Sequence, residues 1–239
     1  MISASIVLYN PNLKVLQETI DSFLKTPLKK KLYLIDNSKT DVLKKHFEHP
    51  EIEYVFVSKN IGFGSGHNLV IKKISSDFHL ILNPDIEFSE TVIPELKAQL
   101  SLDQNASFIS PKVLNSDKSL QFVCRKHPTV FDLINRKLKI SKNKLQKNQY
   151  QHKSLEESFY PEFIHGCFML FKTKDFVDLL GFDERYFLYM EDADLCKKII
   201  KSDKKALYYP KVEIIHHHQK GSSKSTKLFF IHTHFLFLT

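Results

Sequence analysis

The stretch Phe78-His79-Leu80-Ile81-Leu82-Asn83-Pro84-Asp85 runs from a short apolar segment straight into a turn. An apolar run of this length, bounded by turn residues, predicts a buried strand over 78–82. Asn-Pro-Asp is ordinary turn chemistry, and for the motif alone that interpretation stays open. The same position is also where an α/β sheet presents polar side chains to a ligand, just beyond the end of a strand.

Strands and helices alternate on the N-terminal side of this stretch. The patterns predict strands at 2–9, 32–35 and 52–57, and helices at 13–24, 40–47 and 65–75. This alternation predicts an α/β fold with βαβ crossovers and a mostly parallel central sheet flanked by helices. Asn10, Asp36, Asn60 and Asp85 each follow a predicted strand. We therefore expect them to meet at the carboxyl edge of the sheet.

The C-terminal side is less regular. The patterns predict a hairpin over 111–123, a strand over 163–172, helices over 174–180 and 191–202, and strands over 206–209 and 212–215. Between them, residues 125–158 are rich in Lys, Asn and Gln and predict a mobile or helical insertion. Neither an internal repeat nor a clear linker interrupts the 239 residues, which predicts a single domain, 1–239.

Composition limits the partners without choosing among them. The net charge of +8 favours an anionic partner: nucleic acid, a phosphorylated small molecule or an acidic membrane surface. Three cysteines without a CxxC pair predict reduced thiols in a cytoplasmic protein. The sequence shows no signal-peptide pattern and no run of about eighteen apolar residues, so we expect no membrane-crossing segment.

Carboxylates at two predicted strand or helix ends suggest catalytic chemistry. Asp85 could bind Mg²⁺ or Mn²⁺ through oxygen, and such an ion stabilises a departing diphosphate. Glu191, Asp192 and Asp194 lie at a loop-to-helix junction. They could simply favour the helix N-terminus, or one could act as a general base. We predict Asp192 as the base, with Glu191 beside it as a supporting or acceptor-binding group.

A glycine-rich segment and a histidine cluster complete the candidate motifs. Residues 60–68 (NIGFGSGHN) have GxGxG spacing, which differs from the dinucleotide-binding GxGxxG. They could form a flexible turn or a loop that a ligand approaches closely. His216, directly after a predicted strand, could join Asp85 on one metal ion, although a solvent-facing cluster with His217 and His218 is the simpler interpretation.

Taken in order, these segments resemble the family 2 glycosyltransferases of the GT-A fold, especially bacterial rhamnosyltransferase-like members. The resemblance rests on SIVLYNP, LIDNS, NIGFGSGHN, LILNPD, HGCFMLFKTKDFVDLLGFDERYFLYMEDADLCKKI and IIHHHQKGSSK, which span residues 5–224 apart mainly from the insertion. It implies a Rossmann-like nucleotide-sugar-binding half over 1–110 and an acceptor-binding half over 111–224. Residues 225–239 then form an apolar tail.

The resemblance also implies roles for individual residues. Those expected to hold the nucleotide-sugar are Tyr9, Asn10, Asp36, Asn60, Gly62, Asn68, Asn83 and Asp85. Asp85 and His216 would ligate Mg²⁺ or Mn²⁺, and Asp192 would be the base of an inverting enzyme. The donor would be dTDP-rhamnose or a UDP-sugar, and the acceptor a glycan or lipid-linked hydroxyl in cell-surface polysaccharide synthesis, such as lipopolysaccharide or capsule.

Some features depart from this pattern or leave alternatives. Asn83 replaces the first acidic residue of the DxD-type motif and removes one charge from the metal site. The aromatic tail could contact the cytoplasmic face of the inner membrane, pack on the core or meet a second subunit. A nucleotidyltransferase on a related sheet and a basic nucleic-acid-binding protein are alternative functions. Against them stand Tyr9-Asn10 in place of a basic glycine-rich loop, and lysines that are dispersed.

Overall fold

The computed structural model describes residues 1–127 and 141–217. Its N-terminal half alternates strands with helices. The elements are β1 (Ile2–Leu8), α1 (Leu13–Lys25), β2 (Lys30–Asp36), β3 (Ile52–Phe56), α2 (Phe63–Asn68), β4 (Phe78–Leu82), β5 (Ile86–Glu87) and α3 (Val92–Leu102).

The C-terminal half combines long and very short elements. They are β6 (Ala106–Asn115), β7 (Cys124–Arg125), α4 (Lys142–Asn148), β8 (Phe163–Ile164), β9 (Phe168–Lys172), α5 (Thr173–Asp178), α6 (Glu191–Lys201) and β10 (Lys205–His216). The boundary near residue 110 falls inside β6, so the two proposed halves of the chain share one sheet.

In the described ranges, eight strands form one sheet in the order β3-β2-β1-β4-β9-β6-β10-β5, and β7 pairs with β8 beside it. The first four strands run parallel, as the alternating pattern predicts. β9 is antiparallel to both β4 and β6, and β5 is antiparallel to β10. The sheet is therefore mixed. Its parallel part comprises β3, β2, β1 and β4 and ends where β9 pairs with β4.

Helices cover the sheet, and most of its strand residues are buried on both faces and apolar. Nearly all of β1 is buried, as expected for a central parallel strand. The inner face of α1 buries Leu16, Ile20 and Phe23 against the core. Its N-terminus is capped by Asn12, whose Oδ1 accepts hydrogen bonds from the amides of Lys14 and Val15.

Four secondary-structure predictions were wrong in detail. The helix predicted over 65–75 is α2, which ends at Asn68 and is followed by a 3₁₀ turn at Ile71–Lys73. The helix predicted over 40–47 is only a 3₁₀ turn at Lys44–His46, whose exposed residues supply no apolar stripe. The strands predicted at 206–209 and 212–215 are one strand, β10, with an irregularity around Pro210, which cannot donate to the ladder. The strand predicted over 163–172 is broken between Ile164 and Phe168.

The predicted insertion at 125–158 contains one helix in its described part, α4, and turns follow that helix over 149–158. α4 begins after Ser141, whose hydroxyl accepts a hydrogen bond from the Lys144 amide. Residues 128–140, His218 and the tail at 225–239 lie outside the described residues. Within the described ranges, no helix is long and apolar enough to cross a membrane.

A buried chain of hydrogen bonds crosses the core beside β1. It runs from Ser76 through Ser3, His79 and Ser5 to His67, with contacts of 2.6, 2.7, 2.9 and 2.7 Å. The Ser76 hydroxyl already donates to the Phe78 carbonyl, so the Ser3 hydroxyl donates to Ser76 and accepts from His79 Nδ1. The Ser5 hydroxyl in turn donates to His79 Nε2 and accepts from His67 Nδ1. This order places the protons on Nδ1 of both neutral histidines. Burial lowers the pKa of His79 to about 3, and it also lowers the pKa of His67.

Candidate active site

Loops after four neighbouring strands meet at one edge of the sheet. Because β3, β2, β1 and β4 are adjacent and parallel, the residues that follow them project to the same side. The residues found there are Asn60, Asp36, Tyr9 with Asn10, and Asn83 with Asp85. The predicted convergence of these residues at the carboxyl edge follows directly from the observed topology.

Asp85 and His216 lie against each other. The edge strand β5 pairs with β10 so that Ile86 lies opposite His216, and the amide of His217 donates to the carbonyl of Asp85 at 2.9 Å. This pairing places His216 Nε2 3.2 Å from Asp85 Oδ1. Asn83 Nδ2 is 3.5 Å from the same ring nitrogen. Three predicted donor-binding and metal-binding residues are thus in contact.

The other ring nitrogen of His216 has a partner that sequence reasoning missed. Its Nδ1 lies 2.8 Å from Oε1 of Gln121, so it donates to that amide oxygen and leaves Nε2 facing Asp85. Burial by itself would lower the pKa of His216, but contacts with Asp85 and Cys167 raise it to about 10. Without a cation, a proton on Nε2 therefore balances the charge of Asp85.

The Asp85–His216 pair fits a divalent cation. Asp85 Oδ1 is buried and makes no well-aligned hydrogen bond, although it faces the imidazole. A carboxylate oxygen and an imidazole nitrogen both suit Mn²⁺, and Mg²⁺ accepts one or two carboxylates with substrate phosphates. No group of three or more His, Cys, Asp or Glu side chains suited to a metal occurs in the described residues. The remaining coordination positions would then fall to diphosphate and water.

Asp192 is held at the N-terminus of α6 with both oxygens engaged. Its Oδ1 accepts from the amide of Ala193 at 2.9 Å, and its Oδ2 accepts from the amide of Gly166 at 3.0 Å. The His165 Nδ1 lies 3.6 Å from the same Oδ2. The two amide donors fix the orientation of this carboxylate at the helix N-terminus, as the role of a general base requires.

Glu191 has a different environment from Asp192. It is 5 % exposed, and its Oε2 makes no hydrogen bond within the described structure. Burial, reinforced by the neighbouring charge of Asp192, raises the pKa of Glu191 well above its usual value. Glu191 therefore favours its neutral form.

A short segment, His165-Gly166-Cys167, connects the Asp85 side of the site to the Asp192 side. The Cys167 carbonyl accepts from the amide of Asn83 at 2.9 Å, while the Gly166 amide donates to Asp192. This use of its backbone explains why the strand predicted over 163–172 is broken here. The signal in the sequence was the glycine inside an apolar strand pattern.

Strained backbone precedes the two acidic residues. Tyr189 and Met190 both have left-handed conformations, with φ of 70° and 73°. The carbonyl of nearby Phe187 accepts from the amide of Phe63, and a Cβ on Gly62 would lie 2.2 Å from that carbonyl oxygen. The glycine-rich loop and the segment leading to Glu191 are therefore packed backbone to backbone, and strain of this kind is typical of functional sites.

Asp36 lies at the expected edge but is fully buried. Its Oδ1 accepts from the Ser38 amide at 2.8 Å, and the Tyr54 hydroxyl donates to its Oδ2. Both oxygens of Asp36 are therefore engaged by the protein, and its expected contact with a nucleotide stays a prediction. Tyr9 and Asn10, in contrast, are exposed and accessible, and the Asn10 amide donates to the Ser38 hydroxyl.

Asn60 and Asn68 stabilise loops near the site. Asn60 Oδ1 accepts from the Gly62 amide at 3.1 Å. Asn68 binds both the amide and the carbonyl of Phe182, and it also donates to Glu184. Their expected contact with the nucleotide stays a prediction, because the described contacts of both side chains are to the protein.

Comparison with known proteins identifies the family of the chain. The family model described as glycosyl transferase family 2 matches residues 3–179. The chain is 26% identical over 216 residues to the N-acetylglucosaminyl-diphospho-decaprenol L-rhamnosyltransferase of Mycobacterium tuberculosis, covering 82% of this chain and 69% of the relative. It is 28% identical over 205 residues to rhamnosyltransferase WbbL of Escherichia coli, covering 80% of this chain and 75% of the relative.

Solved structures show the same fold. GalNAc-T7, crystallised with UDP, GalNAc and Mn²⁺, superposes with a TM-score of 0.67 at 16% identity, covering 90% of this chain. The mannosyltransferase PcManGT of Pyrobaculum calidifontis, with GDP-Man and Mn²⁺, gives a TM-score of 0.65 at 16% identity and 92% coverage. The chain spans 43% and 58% of these two proteins. The GT-A fold is thereby confirmed, and the chain belongs to glycosyltransferase family 2.

Proposed function

We propose that the chain is a metal-dependent, inverting glycosyltransferase. It would transfer a sugar from a nucleotide-diphospho-sugar to a hydroxyl of a glycan or lipid-linked acceptor in cell-surface polysaccharide synthesis. The observation that carries the proposal is the pairing of buried Asp85 with His216, joined through His165-Gly166-Cys167 to a separately held Asp192. In this proposal the arrangement would supply a cation site and a general base at one edge of the sheet.

The chain's own residues divide the work. Asp85, His216 and Asn83 would hold the divalent cation and the diphosphate; when bound, the cation supplies positive charge that stabilises the departing nucleoside diphosphate. Asp192 removes the proton from the acceptor hydroxyl, and its two amide contacts hold the carboxylate in a fixed orientation. Attack by that oxygen on the anomeric carbon, opposite the leaving group, inverts the configuration.

The relatives suggest the substrate classes. Both curated relatives are named as rhamnosyltransferases, and one carries a diphospho-decaprenol acceptor in its name. We therefore propose dTDP-rhamnose as the first donor to test, with UDP-sugars as the alternative. A polyprenyl-diphosphate-linked sugar is the proposed acceptor, which would place the reaction at the cytoplasmic face of the inner membrane.

Donor binding can be tested before the acceptor is known. The purified chain would be screened by thermal shift against dTDP-rhamnose, UDP-glucose, UDP-galactose and GDP-mannose, each with Mn²⁺ and with EDTA. A ligand at a hundred times its Kd stabilises a protein by about 2.7 kcal/mol, which is easily measured. We expect one nucleotide class to stabilise the protein only with the metal. A stabilisation unaffected by EDTA would contradict metal-dependent donor binding.

Two variants then separate binding from transfer. Asp85→Ala should abolish the metal-dependent donor shift, whereas Asp192→Asn should bind donor normally and transfer about 10²–10⁴ times more slowly, the usual contribution of a general base. Asp178→Asn is the matched control, because Asp178 is an exposed carboxylate on α5 that pairs with Lys174. Full transfer by both site variants would overturn the proposal.

Product analysis tests the alternative functions. Release of a nucleoside diphosphate supports sugar transfer, while release of pyrophosphate would indicate a nucleotidyltransferase. Salt-sensitive binding to random DNA, without affinity for any nucleotide-sugar, would indicate a nucleic-acid-binding protein instead.

A further inference from the structure

His165 lies between the candidate base and solvent. Its Nδ1 is 3.6 Å from Asp192 Oδ2, within ion-pair range. The His165 side chain is 46% exposed, whereas that of Asp192 is only 10% exposed. The largely buried Asp192 carboxylate therefore lies next to an imidazole ring that solvent can reach.

The backbone of His165 is fixed in this position. Its amide donates to the Val123 carbonyl at 3.0 Å, and its carbonyl accepts from the Cys167 amide at 2.9 Å. The following residue, Gly166, donates its amide to the same carboxylate oxygen that the ring approaches. Two consecutive residues thus lie next to Asp192 Oδ2: Gly166 donates its neutral amide, and His165 presents a titratable ring.

We propose that His165 is a positioning residue for this base: its positive charge holds the Asp192 carboxylate ionised and oriented toward the acceptor hydroxyl. The inference rests on the proposed glycosyl transfer. His165 takes no proton in the reaction; the hydroxyl proton passes to Asp192, and the ring acts through its charge. Its role is distinct from that of the amides, because only the ring changes charge near neutral pH.

The other ionisable neighbours of Asp192 do not supply this charge. Glu191 precedes it on α6, and an ionised Glu191 would oppose a second negative charge. Cys196 lies one helical turn later and is also buried, and burial raises the pKa of its thiol to about 12, so it stays neutral. From the β8–β9 connection come the Gly166 amide and His165. Of these described neighbours, His165 alone can be a cation.

The test is the dependence of transfer rate on pH in three variants. His165→Gln and His165→Ala remove the charge, and we expect the acid limb of the rate profile to move up by about 0.5–1 pH unit. That is the effect of one unit charge at this distance in a water-like dielectric. His165→Lys restores a positive charge and should return the limb toward its original position. The donor's KM and the metal-dependent thermal shift should stay unchanged in all three variants.

A matched control and an independent readout complete the test. His46→Gln changes an exposed histidine in the 3₁₀ turn after β2 and should leave the profile unaltered. Carbon-13 NMR titration of the Asp192 carboxyl should show the same upward movement of its midpoint in His165→Gln, without any substrate. An active enzyme whose profile and Asp192 titration are both unchanged in His165→Gln would overturn this inference. Absence of transfer in the unmodified protein would instead contradict the proposed function, and the NMR titration would still decide the role of His165.

Discussion

At the scale of single residues, Gly62 is a position next to the site that does not accommodate a side chain. Its φ of 94° is in a region that favours glycine, and an added Cβ would meet the Phe187 carbonyl oxygen at 2.2 Å. The Gly62 amide donates to Oδ1 of Asn60, and the Gly62 carbonyl accepts from the side-chain amide of Asn37. The glycine-rich loop therefore depends on a backbone contact that any side chain would break.

We expect Gly62→Ala to destabilise the protein by about 1–3 kcal/mol and to reduce transfer more than donor binding. The stability loss follows from the disallowed φ and the clash, and the loss of activity from displacement of the segment that leads to Glu191 and Asp192. Urea unfolding and steady-state kinetics measure the two effects. Ser65→Ala, on the helix α2 that follows Gly62, is the control. Wild-type stability in Gly62→Ala would contradict the described loop conformation.

At the scale of elements, α1 holds the short strand that follows Asp85. The hydroxyl of Thr19 accepts from the Ile86 amide at 3.0 Å, and that of Ser22 accepts from the Phe88 amide at 3.3 Å. Both hydroxyls donate to carbonyls one turn back in the helix. The two-residue strand β5 is thus stabilised by a helix as well as by its pairing with β10.

Thr19→Val should weaken the cation site without changing any ligand. It keeps the side-chain shape but leaves the buried Ile86 amide unpaired, which costs about 1–3 kcal/mol. Because Ile86 follows Asp85 and pairs with His216, we also expect Mn²⁺ to bind more weakly in calorimetry. Thr40→Val, at an exposed position, serves as the comparison. Unchanged stability and Mn²⁺ affinity would show that α1 does not hold this strand.

The sequence anticipated elements well where local pattern and packing agree. The strand at 78–82 and the helix at 13–24 were confirmed, because an apolar run and a helical apolar repeat are local signals. The helix predicted at 40–47 was wrong, since only Leu43 and Phe47 are buried there and they support a single turn. The break at Gly166 depends on an acceptor twenty-six residues away, Asp192, and a local pattern does not contain that information.

At the scale of the whole molecule, stability should depend on pH through the buried histidines. His67 and His79 are neutral in the folded protein because burial lowers the pKa of each, while in the unfolded chain they titrate near 6.5. The unfolded state therefore binds more protons below pH 6.5, and stability falls as pH decreases from 6.5 toward 3. The raised pKa of Glu191 has the opposite effect, because above its usual pKa the folded state holds the proton more tightly than the unfolded state. It is a single group, whereas two histidines favour the loss of stability.

His79→Gln tests this dependence. Glutamine preserves neutral hydrogen-bonding capacity between Ser3 and Ser5 but removes one titrating ring. We expect the slope of unfolding free energy against pH, measured by urea unfolding between pH 4.5 and 6.5, to decrease by up to about 1.4 kcal/mol per pH unit. His46→Gln should keep the original slope. Parallel curves for His79→Gln and the unmodified protein would show that His79 is not buried in its neutral form.

By itself, the sequence determined the alternation of strands and helices, the parallel half of the sheet and the identity of the family, because apolar periodicity and ordered motifs are local properties. It also identified Asp85, Asp192 and His216 as candidates. Only the tertiary structure decided their partners: Gln121 on His216, His165 and Gly166 on Asp192, and Tyr54 over Asp36. These partners are distant in sequence, and strand order and register bring them together. The raised pKa of His216 follows from its contacts with Asp85 and Cys167, which no local pattern contains.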